Sequence, residues 1–201
     1  MARTKTEAKR KAIVAAAAKA FAEKGYHAST VGDVAAEVGM GLGTFYRYFE
    51  NKLDVFHAVI DEVLGEVAGV VAGELPTDSK DVAHYRAQVE RIGLGLFKAF
   101  AENQKLARLL FIEAPGIDPR MNEKLRESVV VFGQVTQAYL ENGVARGFLR
   151  KGLDAEVTAL AVNALIFEAA RHVAIAENAE AARQRWTQAV VALMFDGVTR
   201  R

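Results

Sequence analysis

Residues 30–52 read TVGDVAAEVGMGLGTFYRYFENK, and this stretch decides the fold. Val31, Val34, Ala35 and Val38 recur at i, i+3, i+4 and i+7, which is one apolar face of a short helix. Thr30 stands before that face with Asp33 three residues on, an approximation to a capping box, in which two side chains satisfy orphan backbone N–H groups reciprocally. Gly39 ends the helix, where a left-handed residue is wanted. Gly41 opens the next one, so Gly39-Met40-Gly41 is a tight turn between two short helices. Met40, Phe45 and Phe49 can face back into the first helix, leaving Leu42, Gly43, Thr44, Tyr46 and Tyr48 on or near the outer side. Such a pair is a helix-turn-helix whose second helix can enter a DNA major groove. By spacing alone it is equally an ordinary helical hairpin of an all-α domain.

Upstream, residues 4–24 form an amphipathic helix with Ile13, Ala16, Ala17, Ala20 and Phe21 as its buried stripe, Thr4 and Glu7 as a capping box and Gly25 as its stop. Arg3 and Lys5 precede it as a short basic arm able to reach a minor groove or phosphates, or simply as a frayed terminus. Downstream, Asn51 caps a fourth helix with Asp54 near its start. Lys52 then sits in the first turn, where the helix dipole opposes a cation at a cost of about 0.3–1 kcal/mol. A DNA phosphate beside Lys52 would make sense of that placement; an exposed, solvated lysine is the plain alternative.

The run resembles the TetR family of transcriptional regulators. The matching residues are Ile13, Ala16, Ala17, Phe21, Gly25 and Tyr26, then Thr30, Asp33, Val34, Ala35, Gly39, Gly43, Thr44, Phe45, Tyr46, Tyr48, Phe49 and Lys52, about the first quarter of the chain. The resemblance implies a dimeric, all-helical, ligand-responsive DNA-binding protein, with repression as the default. It assigns DNA contacts to Thr30, Gly41, Leu42, Gly43, Thr44, Tyr46, Tyr48 and Lys52, to which the arm residues Arg3 and Lys5 are added. Two departures stand out. Leu42 replaces a usual polar or basic residue, and Gly41 replaces a frequent serine. Few side chains are left to make bidentate base contacts, so Leu42 is expected to pack on a thymine methyl, with DNA shape and the arm carrying more of the specificity.

The whole chain is compatible with this. Its 201 residues, half of them hydrophobic and none cysteine, suit a sizeable core in a reducing cytoplasm. No basic start is followed by a signal-peptide core, and no uninterrupted apolar run reaches the roughly 18 residues of a membrane span. Residues 1–52 hold nine Lys/Arg against five Asp/Glu, and residues 53–201 hold 17 against 20. A basic end on an acidic body fits a DNA-binding domain at 1–52 beside a ligand-binding and dimerisation domain at 53–201. No HExxH, P-loop or paired nucleophile motif is present, so no enzyme, cofactor or metal site is expected.

Helical periodicity continues to the end: to about Gly73, over 80–103, 104–113, from Asp118-Pro119 to about Arg146, over 155–176 and over 180–197, about nine helices in all. The eighth is apolar nearly all round and the ninth adds further apolar residues, so Leu160, Ala164, Phe167, Trp186, Val190, Leu193 and Met194 are expected in a twofold four-helix dimer interface. In the middle helices, Gly93, Gly95 and Gly133 either permit close packing or leave a cavity. The resemblance implies a pocket for a small-molecule effector there, with Gly93, Phe97, Phe100, Phe111, Phe132 and Phe167 as its apolar wall. Asn163, Glu168, Arg171 and His172 would be its polar groups. An intrahelical ion pair explains Glu168 and Arg171 equally well. The expected partners are a double-stranded DNA operator, an apolar effector and a second copy of the chain, with no membrane.

Overall fold

A computed structural model describes residues 2–101 and 104–198, with side chains described over 6–99 and 104–193. These residues form nine α-helices and no strand. A long helix and two short ones open the chain: α1 (Ala2–Lys24), α2 (Val31–Val38) and α3 (Leu42–Phe45). The long α4 (Lys52–Ala72) leads by a 3₁₀ turn at Pro76–Asp78 into α5 (Val82–Ala101). Then follow α6 (Gln104–Arg108), a π-helical turn at Leu109–Glu113, α7 (Pro119–Ala145), α8 (Ala155–Ile175) and α9 (Ala179–Val198).

Local chemistry explains most boundaries. Thr30 caps α2, its hydroxyl accepting from Asp33 N (3.1 Å) while the Asp33 carboxylate accepts from Thr30 N (2.8 Å), so the capping box is complete. Gly39 closes the helix at φ 71°, a left-handed conformation that glycine adopts without steric cost. Asn51 caps α4 through Asp54 N (2.9 Å), and Asp118 caps α7 through Met121 N (2.6 Å), with Pro119 at N1. The expected cap at Thr4 is not used. α1 already begins at Ala2, because nothing between residues 2 and 8 breaks a helix, and Thr4 falls inside its first turn. The basic arm is corrected in the same way: the backbone of Arg3 and Lys5 is helical, and their side chains lie outside the described residues.

One apolar core runs from the first helices into the body. Ile13, Ala17 and Phe21 of α1, Val34 of α2, Phe45 and Phe49 pack with Val55, Phe56, Val59 and Ile60 of α4. The same cluster continues to Leu109, Ala114, Met121 and, on α8, Ala170 and Ala174. Within one subunit α8 is covered on its inner side only. Its inner face packs on α6, α7 and α9, but Val157 (60 % exposed), Leu160 (52 %), Ala161 and Ala164 form an outward stripe. α8 is long and apolar enough to cross a membrane by length and composition, yet that inner face is occupied by its neighbours.

Candidate nucleic-acid interface and interior cavity

The turn between α2 and α3, with α3 itself, presents an exposed face. Phe45 and Phe49 are buried and anchor it, which leaves Gly41, Leu42 (50 % exposed), Gly43, Tyr46 and Arg47 outward; Thr44 and Tyr48 are half-buried. α3 proper is only four residues long, and its backbone continues as turns in which Tyr48 N and Phe49 N both bond Phe45 O. Arg47 has no place in the sequence-based set. Its signal was only a lone arginine between two tyrosines, which becomes informative once Phe45 and Phe49 are known to point inward.

Two expected phosphate ligands are otherwise engaged. The Thr30 hydroxyl donates to Asp33 Oδ2 (2.8 Å). Lys52 Nζ donates to the carbonyls of Tyr26 (2.7 Å), Ser29 (3.0 Å) and His27 (3.4 Å), and lies 4.4 Å from the centre of the Tyr26 ring. An ammonium has three protons, so this geometry uses all of them. The four carbonyl and ring contacts also answer the dipole objection to a lysine at a helix start. Lys52 is thus a staple that holds the α1–α2 turn against α4. Around it, Lys24 bonds Asp33 (2.5 Å) and Lys19 bonds Glu37 (2.6 Å) across α1 and α2. The Lys24 ammonium, with the Thr30 groups, holds the Asp33 carboxyl down at about 2.

Behind this unit the body contacts its turn directly. Glu113, the last residue of the π-helical turn, accepts Tyr26 N (2.9 Å) and faces Gly25, whose φ is +79°. His57 of α4 lies 3.1 Å from Asp118 Oδ2 at the start of α7. Burial pushes the Asp118 carboxyl up, but the Met121 N–H and His57 outweigh it and leave it below the ordinary range.

The interior holds a cavity of about 110 Å³. α4 contributes Val67 and Val71, α5 Ile92, Gly93 and Phe97, α7 Phe132, Val135, Thr136 and Tyr139, α8 Val162, Asn163, Ile166 and Phe167, and α9 Thr187, Val190 and Val191. Of the expected wall, Gly93, Phe97, Phe132, Asn163 and Phe167 are there. Phe111 stands behind it, 6.4 Å from the Phe167 ring, and the side chain of Phe100 lies outside the described residues. Glu168, Arg171 and His172 are not in the cavity. Further along α8 than Asn163 they point outward, where Glu168 bonds Arg171 (2.7 Å) and His172 (3.0 Å), and His172 stacks on Trp186 at 5.2 Å. Among the described residues no three His, Asp or Glu are grouped to hold a metal.

The two readings of the glycines divide by position. A Cβ on Gly95 would meet Val70 Cγ1 at 2.6 Å, so Gly95 serves close packing of α4 on α5. A Cβ on Gly93 would meet nothing within 4 Å, so Gly93 leaves room in the cavity. The interface set is likewise sorted. Leu160, Ala164 and Leu193 point outward. Val190 (7 % exposed) and Phe167 turn inward to the cavity, because the α9 face that carries Val190 packs on α5. Trp186 is half-buried between α8 and α9, and the Met194 side chain is outside the described residues.

Against known proteins, residues 13–59 match the model of "Bacterial regulatory proteins, tetR family". A fatty acid metabolism regulator protein of Bacillus subtilis is 27 % identical over 142 residues, 71 % of each chain. The HTH-type transcriptional repressor BepR of Brucella suis is 44 % identical over 62 residues, 30 % of each chain. Among solved structures, the regulator FadR of Bacillus subtilis in complex with stearoyl-CoA superposes with a TM-score of 0.77 at 21 % identity, over 93 % of this chain and 98 % of that one. The fold is the same.

Proposed function

From its membership of the TetR family of DNA-binding transcriptional regulators, we propose that this chain is a repressor that binds a palindromic operator as a dimer and is released by a small apolar ligand. The observation that carries this reading is the shared helix α4. Its first half (Val55, Phe56, Val59) is part of the core under the helix-turn-helix, and its second half (Val67, Val71) is cavity wall. A ligand that displaces the wall therefore acts on the same rigid rod that carries the DNA-contacting unit. Typical coupling between such sites is about 1–3 kcal/mol.

In this reading residues 1–52 contact DNA and residues 53–201 sense and dimerise, in the cytoplasm beside the chromosome. Gly41, Leu42, Gly43, Thr44, Tyr46, Arg47 and Tyr48 make the DNA face, while Thr30 and Lys52 position it. The outward stripe of Val157, Leu160, Ala161 and Ala164, with Leu193 of α9, supports pairing of α8 and α9 with a second copy, since large exposed apolar patches mark interaction sites. The name of the Brucella relative supports repression, and the acyl-CoA bound by the Bacillus FadR structure supports an acyl-like ligand.

The test is a gel-shift series on DNA flanking the protein's own gene. Specific binding to a twofold site with half-sites about 34–36 Å apart is expected, weakening steeply as salt rises. Salt-independent retention would overturn it. Leu42→Ala should relax the preference at one T·A pair per half-site, whereas equal weakening on every sequence would reduce Leu42 to packing.

A further inference from the structure

The cavity carries two polar groups that the protein itself leaves unpaired. Asn163 is only 6 % exposed; its Oδ1 accepts the Thr136 hydroxyl (2.9 Å), but its buried Nδ2 has no partner. The buried Thr187 hydroxyl, from α9 on another wall, has none either. The remaining polar wall groups are accounted for: the Tyr85 hydroxyl donates to Tyr139 O (3.2 Å) and the Tyr139 hydroxyl to Glu74 O. Buried amide and hydroxyl groups without partners carry a desolvation cost, so native interiors hold few of them. Two facing one apolar cavity indicate what the cavity is built to receive.

Resting on the sensing role given above, we propose that the cavity binds a small uncharged molecule with an apolar body and one carbonyl oxygen, a ketone, ester, thioester or amide. Asn163 Nδ2 and the Thr187 hydroxyl donate to that oxygen. A carbonyl has two lone pairs for these two donors. Among the described residues no Lys, Arg, His, Asp or Glu lines the cavity, so a buried carboxylate or ammonium would be left without a counter-charge, at a far larger desolvation cost. A pure hydrocarbon would leave both donors unpaired. The volume, about 110 Å³, is close to that of an engineered cavity of ~150 Å³ that takes up benzene. The body that fits is thus a single ring or a short chain.

The experiment measures binding of acetophenone, ethylbenzene and benzoate to the full-length protein by calorimetry. These probes have similar bodies and carry a neutral carbonyl, no polar group and an anion. Acetophenone is expected to bind up to about tenfold tighter than ethylbenzene, as befits one or two neutral hydrogen bonds, with benzoate weakest. Asn163→Leu and the isosteric Thr187→Val should each weaken acetophenone several-fold and leave ethylbenzene unchanged or tighter. Equal affinity for acetophenone and ethylbenzene, preference for benzoate, no binding of any probe, or equal loss of all probes in both variants would overturn the assignment. A gel shift on the unliganded wild type runs in parallel. Its failure would remove the regulator reading while leaving the carbonyl preference standing, and success there beside any of the overturning results would remove only the carbonyl preference.

Discussion

Glu113 Oε2 accepts the backbone N–H of Tyr26 at 2.9 Å, which fastens the π-helical turn of the body to the exit of the first DNA-unit helix. Three residues of chain connect this bond to the cavity, since Phe111 of the same turn packs on Phe167 of the wall. Movement of Phe167 therefore has a short route to the turn that Lys52 staples. Replacing Glu113 with alanine should cost about 1.5–3 kcal/mol, the range for a hydrogen bond to a charged group. The low end is expected because the side chain is 24 % exposed. Urea denaturation reads the loss, and hydrogen exchange at Tyr26 N should accelerate; an unchanged exchange rate would show that the bond does not secure the turn.

Lys52 and Arg47 should behave oppositely. Lys52→Met keeps the stem but leaves the Tyr26 and Ser29 carbonyls short of a donor, so it should destabilise by about 1–3 kcal/mol and leave the salt slope of DNA binding unchanged. Arg47→Ala should leave stability within about 0.5 kcal/mol and reduce that slope by about 1. The reverse pattern in log-affinity against log-salt plots would return Lys52 to a phosphate role.

Acid should loosen the helix-turn-helix late. The Asp33 carboxyl is lowered from 3.8 to about 2 by Lys24 and Thr30, so its contribution is fully present above pH 3.8 and is lost as pH falls through about 2. Carboxyl NMR should place the Asp33 midpoint near 2, and Lys24→Ala should move it back towards 3.8. A wild-type midpoint already at the ordinary value would mean that the capping box is open in solution.

Two alanines a turn-fraction apart should have opposite effects. Gly93→Ala adds a methyl to open cavity space and removes the helix cost of glycine, so it should stabilise by about 0.5–1 kcal/mol while weakening ligand binding. Gly95→Ala drives a methyl to 2.6 Å from Val70 Cγ1 and should be neutral to destabilising by about 1–3 kcal/mol. Thermal melting with and without acetophenone measures both.

In the proposed dimer, charge on the outward stripe should break the pair of subunits. Leu160→Glu with Leu193→Glu is expected to leave each subunit folded, since both side chains are more than half exposed, and to shift the protein to monomer in sedimentation. Operator affinity should fall by orders of magnitude as the two half-sites uncouple. A dimer that survives the double change would put the interface elsewhere.

What the sequence determined by itself is local. Helix positions, the Thr30–Asp33 box, the left-handed Gly39 and the caps at Asn51 and Asp118 follow from contacts within a few residues of chain, and so does the inward aim of Phe45 and Phe49. The tertiary structure alone decided where long or polar side chains end. Lys52 meets carbonyls 23 to 26 residues away, Glu113 meets a backbone N–H 87 residues away, and Thr136 meets Asn163 across two helices. A helix apolar on all sides, such as α8, does not reveal by periodicity which side its neighbours will take. Packing put Asn163 and Phe167 inside, and Leu160, Glu168, Arg171 and His172 outside. Hydrophobic burial is non-directional, so only the assembled neighbours assign the faces.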